Sequence, residues 1–133
     1  MQKVSSFGNK FLSLFRNYLI IMEEKGFQVV YLQEASDFLD GIAEQARKKI
    51  YYNIIKVASG IKDSELFKKL EDSNDIWEFR TQYNGIQYRL LAFWDEKAKC
   101  LVVATHGFIK KGWKVPLKEI ARAEALREQY YKK

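Results

Sequence analysis

The sequence predicts an α+β fold, an antiparallel sheet flanked by helices, on three observations. Apolar residues recur every three or four positions from Leu39 to Val57, and again from Leu117 to Tyr130, which is helical spacing. Between residues 76 and 105 the pattern changes to three short runs rich in β-formers. Asn84-Gly85 separates the first two runs, and that dipeptide is the one best suited to a two-residue type I′ hairpin. Helices on either side of a three-strand meander place the helices on the flanks of the sheet. The chain has 133 residues, 47% apolar and 30% charged, with 7 Gly and 1 Pro. That composition suits one compact domain with a real core and excludes collagen-like, mucin-like and wholly disordered chains.

Residues 1–22 form an N-terminal extension, expected to be helical and to pack on the domain, which occupies residues 23–133. Lys3, Lys10 and Arg16 are its only charges, set among Phe7, Phe11, Leu12, Leu14, Phe15 and the apolar residues 18–22. Arg16 and Asn17 interrupt the apolar run and no small-residue cleavage site follows, so a secretory signal is disfavoured. No stretch is long enough to span a bilayer. Met22 is an alternative start, since a self-contained strand-then-helix pattern begins just after it.

Residues 27–32, FQVVYL, read as a strand ending at the polar Gln33 and Glu34. Ser36 and Asp37 offer an N-cap for one long helix carrying Leu39, Ile42, Ala46, Ile50, Ile54 and Val57, and Gly60 closes it. Arg47, Lys48, Lys49 and Lys56 read as its solvated face. A shorter helix is expected at residues 64–70, burying Leu66, Phe67 and Leu70. The hairpin strands follow at 76–83 and 86–94, then a charged turn at 95–99 and a third strand at 100–105, with residues 106–111 entering a loop. Pro116 suits a first helical position, and Leu117, Ile120, Ala123, Leu126 and Tyr130 mark the buried stripe of a C-terminal helix.

The net charge of +6 is unevenly placed. Residues 1–96 hold 13 Lys/Arg against 14 Asp/Glu, whereas residues 97–133 hold 10 against 3. Such asymmetry reads as a surface for a polyanion, of which nucleic acid is the commonest; the plainer alternative is a solvated basic helix. The single Cys cannot form an intramolecular disulfide, which suits a reducing cytoplasm and removes Cys-rich zinc sites from consideration.

A two-residue loop at Asn84-Gly85 fixes the hairpin register and sets Arg80 directly across from Arg89. Like charges so opposed are destabilising unless an anion or an acidic neighbour lies between them. Glu78, on the same face, is a candidate neighbour and would make the cluster structural. The functional alternative is a fork of guanidiniums for a phosphate, a geometry arginine supplies better than lysine. His106, Lys110 and Lys111 leave the third strand near the same end of the sheet. With Arg80, Arg89, Lys114, Lys118 and Arg122 they outline a basic floor around one imidazole, which resembles what RNA cleavage requires. The 2′-hydroxyl must lose a proton, the 5′-oxygen must gain one, and the phosphorane's charge must be stabilised. Tyr51, Tyr52, Tyr130, Tyr131, Trp94 and Trp113 are able to stack on bases, although for the helical tyrosines core or rim packing is the favoured role. One His, one Cys and scattered carboxylates give no metal-ligand spacing, so neither a metal nor a cofactor is called for. There is no glycine-rich phosphate loop and no nucleophile elbow.

Trp77-Glu78-Phe79-Arg80, Tyr88-Arg89, Phe93, the segment HGFIKK at 106–111, Pro116 and Glu119-Ile120-Ala121-Arg122-Ala123 together resemble the RelE/HigB superfamily of toxins. More narrowly they are similar to its phage-derived HigB-like branch, marked by an ELR strand, a YR strand and an HGFxKK segment before a basic helix. The resemblance spans residues 27–131. Here ELR reads Glu78-Phe79-Arg80, and the first 22 residues have no counterpart in the pattern. The resemblance implies a RelE-like sheet and a ribosome-dependent mRNA endonuclease of a type II toxin-antitoxin pair. Such a toxin cuts mRNA in the ribosomal A site without a metal, and an antitoxin, in this branch commonly a helix-turn-helix protein, neutralises it. It further implies that Arg80 and Arg89 stabilise the scissile phosphate and that Lys110 and Lys111 hold RNA or share proton transfer. His106 would act as general base or orient the strand end, and Tyr130 or Tyr131 would supply a C-terminal site residue. On these readings Arg89→Ala should abolish toxicity and leave the fold intact. The reading from another class is a non-catalytic RNA- or ribosome-binding module, an inactive toxin homologue. A DNA-binding accessory protein is weaker, since no recognition-helix motif is evident.

Overall fold

The structure, a computed structural model, describes residues 26–133. The N-terminal extension and the alternative start at Met22 lie outside the described residues. The elements run β1 (Gln28–Tyr31), α1 (Gln33–Asp40), α2 (Glu44–Ala58), β2 (Phe67–Lys69), β3 (Trp77–Tyr83), β4 (Ile86–Trp94), β5 (Leu101–Lys110) and α3 (Leu117–Lys132). They form one five-stranded sheet in the order β1-β5-β4-β3-β2. The α+β class stands, with the meander at the centre of the sheet. The N-terminal strand pairs parallel with β5, while α1 and α2 carry the chain on to β2 at the opposite edge, so the sheet is mixed.

Asn84 and Gly85 both take positive φ, 49° and 76°, as a type I′ turn demands. The register that follows is the expected one, with Thr81 opposite Tyr88 and Tyr83 opposite Ile86. Alternation along the strands then sorts the core into two layers. On one face Leu39, Ile50, Ile54 and Val57 of α1 and α2 pack with Phe79, Tyr88, Leu90 and Val102. On the other, Ile120 and Ala123 of α3 pack with Ile76, Leu91, Phe93 and Val103. Each large apolar side chain so buried stabilises the domain by about 1.5–3 kcal/mol.

The expected long helix is two helices, broken at Gly41, whose N–H closes back on the carbonyls of Asp37 and Phe38. After the break the two segments cover different strands: α1 lies over β5, and α2 over β3. The first of them starts at Gln33, ahead of Ser36, with Leu32 as N-cap; the Gln33 amide donates to Asp37 Oδ1 one turn on, at 2.8 Å. Gly60 does follow the second helix, at φ 111°.

Residues 64–70 form a turn and the short strand β2 in place of a helix. Phe67 stacks on Phe79 and Trp77, at centroid distances of 4.4 and 4.9 Å, and this tertiary contact overrides the local pattern. The third meander strand continues through residues 106–110, which had read as a loop. Pro116 is the residue just before α3. No helix of the described residues is long and apolar enough to cross a membrane.

Candidate functional site

The hairpin register sets Arg80 against Arg89 as direct partners on the α3 face of the sheet. Between them stands Glu78: its Oε1 lies 3.4 Å from Arg80 Nε and its Oε2 3.5 Å from Arg89 Nε. These are ion pairs without hydrogen-bond alignment, and Glu78 Oε2 and both Nε atoms have no hydrogen-bond partner. Arg89 Nη1 donates to the Tyr88 carbonyl at 3.0 Å. The two arginines differ in setting, since Arg89 and Glu78 are each only 3% exposed whereas Arg80 is 23% exposed. Burial pushes the Arg89 pKa down; Glu78 opposes that shift and Arg80 adds to it. Arg89 is thus held by a buried carboxylate, and Arg89→Ala removes a structural partner as well as a cation.

Lys110 reaches this face because of a β-bulge. Leu91 pairs with His106 and Ala92 with Ala104, so Thr105 is the extra residue, and its hydroxyl donates to the Leu91 carbonyl at 3.2 Å. The bulge resets the alternation of β5. Gly107 then faces α1, where the Phe38 ring lies, while Phe108, opposite Arg89, and Lys110, opposite Gln87, share the arginine face. Arg80, Gln87, Arg89, Lys110, Lys111, Gly112 and Trp113 line an open concavity of about 450 Å³ there. Burial lowers the Lys110 pKa, and the neighbouring charges of Arg89, Arg80 and Lys68 lower it further against the pull of Glu78. A second groove of about 350 Å³, lined in part by Lys49, Asn53 and Gln82, shares Arg80, Gln87 and Arg89 with the first.

The structure therefore brings Arg80, Arg89, Lys110 and Lys111 together. His106 is elsewhere: 1% exposed beneath α3, with Nδ1 3.1 Å from Thr105 Oγ1 and Nε2 3.2 Å from Glu119 Oε1. Burial lowers its pKa, Glu119 opposing and Arg122 adding to the shift. Its ring does not line the concavity and ties β5 to the first turn of α3. Lys114, Lys118 and Arg122 are exposed around the start of α3, outside the lining.

Tyr130 and Tyr131 are held at the opposite end of the sheet. The Tyr130 hydroxyl donates to Asp95 Oδ2 at 2.6 Å, the Tyr131 hydroxyl accepts from the Glu96 N–H at 2.9 Å, and both rings pack on Phe93. That bond lowers the Asp95 pKa and raises that of Tyr130 to about 12. Both tyrosines pin α3 to the β4–β5 turn and are not brought to the arginines. Sequence reasoning missed Gln87 in the concavity, Lys49 in the adjoining groove and Lys68, whose charge reaches Lys110. Lys49 reaches the Gln82 carbonyl from α2, a contact no local spacing announces, and Lys68 was hidden by reading β2 as helix. Among the described residues no three His, Cys, Asp or Glu side chains gather where they could hold a metal ion.

A mixed five-stranded sheet with helices on both faces is the arrangement of the RelE-like fold. Among solved structures, E. coli toxin RelE in the free state, with two arginines replaced by alanine, matches with a TM-score of 0.55 and 14% identity. The match covers 77% of this chain and 97% of that one, and it shows the fold. Residues 37–128 match the family described as Phage derived protein Gp49-like (DUF891). The chain belongs to that family. No curated protein matches it.

Proposed function

We propose that this protein is the toxin of a type II toxin-antitoxin pair, a cytoplasmic endoribonuclease that cuts mRNA in the ribosomal A site without a metal. The observation that carries the reading is the meeting of Arg80, Arg89 and Lys110 in one open concavity. A phosphodiester seated there meets two guanidiniums, which suit the equatorial oxygens of a pentavalent phosphorane. The 2′-oxygen attacks phosphorus, the bond to the 5′-oxygen breaks, and the proton lost from the 2′-hydroxyl is matched by one delivered to the 5′-oxygen. Lys110, its pKa lowered by burial and by neighbouring cations, is the group suited to move a proton at that place, and Lys111 holds the flanking backbone. His106 is a positioning residue that fixes the junction of β5 and α3. A cognate antitoxin, in this family expected to be a helix-turn-helix protein, restrains the activity.

The reading from another class, a non-catalytic RNA- or ribosome-binding module, is favoured by one observation: Glu78 already bridges both arginines. Induced expression in a bacterial host, with primer extension on a reporter mRNA, separates the two. The toxin reading expects growth arrest and cuts confined to translated regions, lost in Arg80→Ala and in Lys110→Ala. Normal growth and intact mRNA from folded, soluble wild-type protein would favour the binding module.

A further inference from the structure

The fold sorts the six aromatic residues able to stack on a base. Trp94 packs against Phe27 and Trp77, Tyr130 and Tyr131 stand on Phe93 at the far end of the sheet, and Tyr51 meets the Tyr31 ring. Tyr52 lies on α2, outside the concavity. Trp113 alone of the six lines the concavity that holds Arg80, Arg89, Lys110 and Lys111. It is 98% exposed, and its ring meets no other ring among the described residues. A Cβ added to the neighbouring Gly112 would meet nothing within 4 Å, so that residue too stands in open space. A bare indole at the rim of a cationic hollow is the pairing that single-stranded nucleic acid uses, an aromatic face for a base and cations for its phosphates.

We propose that Trp113 is the base-stacking platform of this site, holding the unstacked base of a single-stranded RNA nucleotide beside the phosphate that sits at Arg80 and Arg89. The proposal rests on the reading of the concavity as an RNA site. Stacking needs a base free of its partner, so the platform favours single-stranded RNA over duplex. It also makes Trp113 a determinant of which position is presented to the arginines. The indole contributes nothing to the core, so its removal leaves the fold unchanged.

The test is a titration with an uncleavable 2′-O-methyl hexaribonucleotide, followed by Trp fluorescence and by anisotropy of a labelled copy, in wild type, Trp113→Ala and Trp113→Phe. Thermal melting shows that all three are folded. The expected result is quenching in wild type that is lost in both variants, because Trp77 and Trp94 lie in the separate aromatic cluster. Affinity falls about tenfold in Trp113→Ala and is largely restored in Trp113→Phe, which keeps an aromatic face. Equal affinity in Trp113→Ala, binding without quenching, or no binding by wild type overturns the proposal. Mapping of mRNA cuts in cells keeps the two claims apart. If wild type and Trp113→Ala cut alike, the nuclease reading stands and the platform falls; if wild type binds with quenching yet cuts nothing, the platform stands and the nuclease reading falls.

Discussion

Removing the Arg89 guanidinium leaves the buried Glu78 carboxylate with Arg80 as its remaining cation. Arg89→Ala should therefore lower stability by about 1–3 kcal/mol, read as a drop in thermal midpoint, and adding Glu78→Gln should recover part of it. A midpoint equal to wild type would show that the Arg–Glu–Arg cluster does not support the fold. His106 carries a pH dependence. Its folded-state pKa lies below the usual 6.5, so the folded state binds fewer protons than the unfolded chain. The stability it contributes is fully present above 6.5 and is lost as pH falls through the lower, folded value. Thermal midpoints measured downward from pH 7 should fall in wild type and fall less in His106→Gln; identical slopes would remove His106 as the cause. The opposition of Arg80 and Arg89 was legible because Asn84-Gly85 fixes the register. The facing of Lys110 was not, because the bulge at Thr105 is decided by pairing between strands and has no residue signature.

At the scale of elements, Gly107 sets how closely α1 can lie on the sheet. A Cβ there would stand 2.2 Å from Phe38 Cδ2, a distance no real contact tolerates, so ring or helix must shift. Gly107→Ala should destabilise by about 1–3 kcal/mol through overpacking, and Phe38→Leu in the same chain should relieve part of the loss. Chemical denaturation measures both, and an unchanged midpoint in Gly107→Ala would contradict the packing. The glycine of the HGFIKK segment is thus explained by α1, an element far from it in sequence. The apolar stripes of α2 and α3 were plain in the sequence because helices bury one face, except that Leu117, expected in the α3 stripe, is 72% exposed ahead of the buried Ile120, Ala123 and Leu126. Two elements are decided by tertiary contacts and leave no local signal: the break at Gly41 lets α1 and α2 cover β5 and β3 separately, and β2 exists because Phe67 stacks on Trp77 and Phe79.

In the whole molecule, the sheet divides two apolar layers, and the concavity opens on the α3 face beside the hairpin, where α3 has yet to begin. The charge asymmetry of the sequence pointed to the C-terminal third, which supplies Lys110 and Lys111. Arg80 and Arg89 come from the part with balanced charge, so composition alone located only half of the site. The parallel insertion of β1 beside β5 was equally hidden, since a strand's partner depends on the path of its crossover. The most direct test of the account is to incubate purified protein with ribosomes translating a defined mRNA and to identify the chemistry of the new 3′ ends. Attack by the 2′-oxygen predicts fragments ending in a 2′,3′-cyclic phosphate or its opened monophosphate, formed only when ribosomes are present and lost in Lys110→Ala. Fragments ending in a free 3′-hydroxyl, or intact mRNA in the presence of folded wild-type protein, would contradict it.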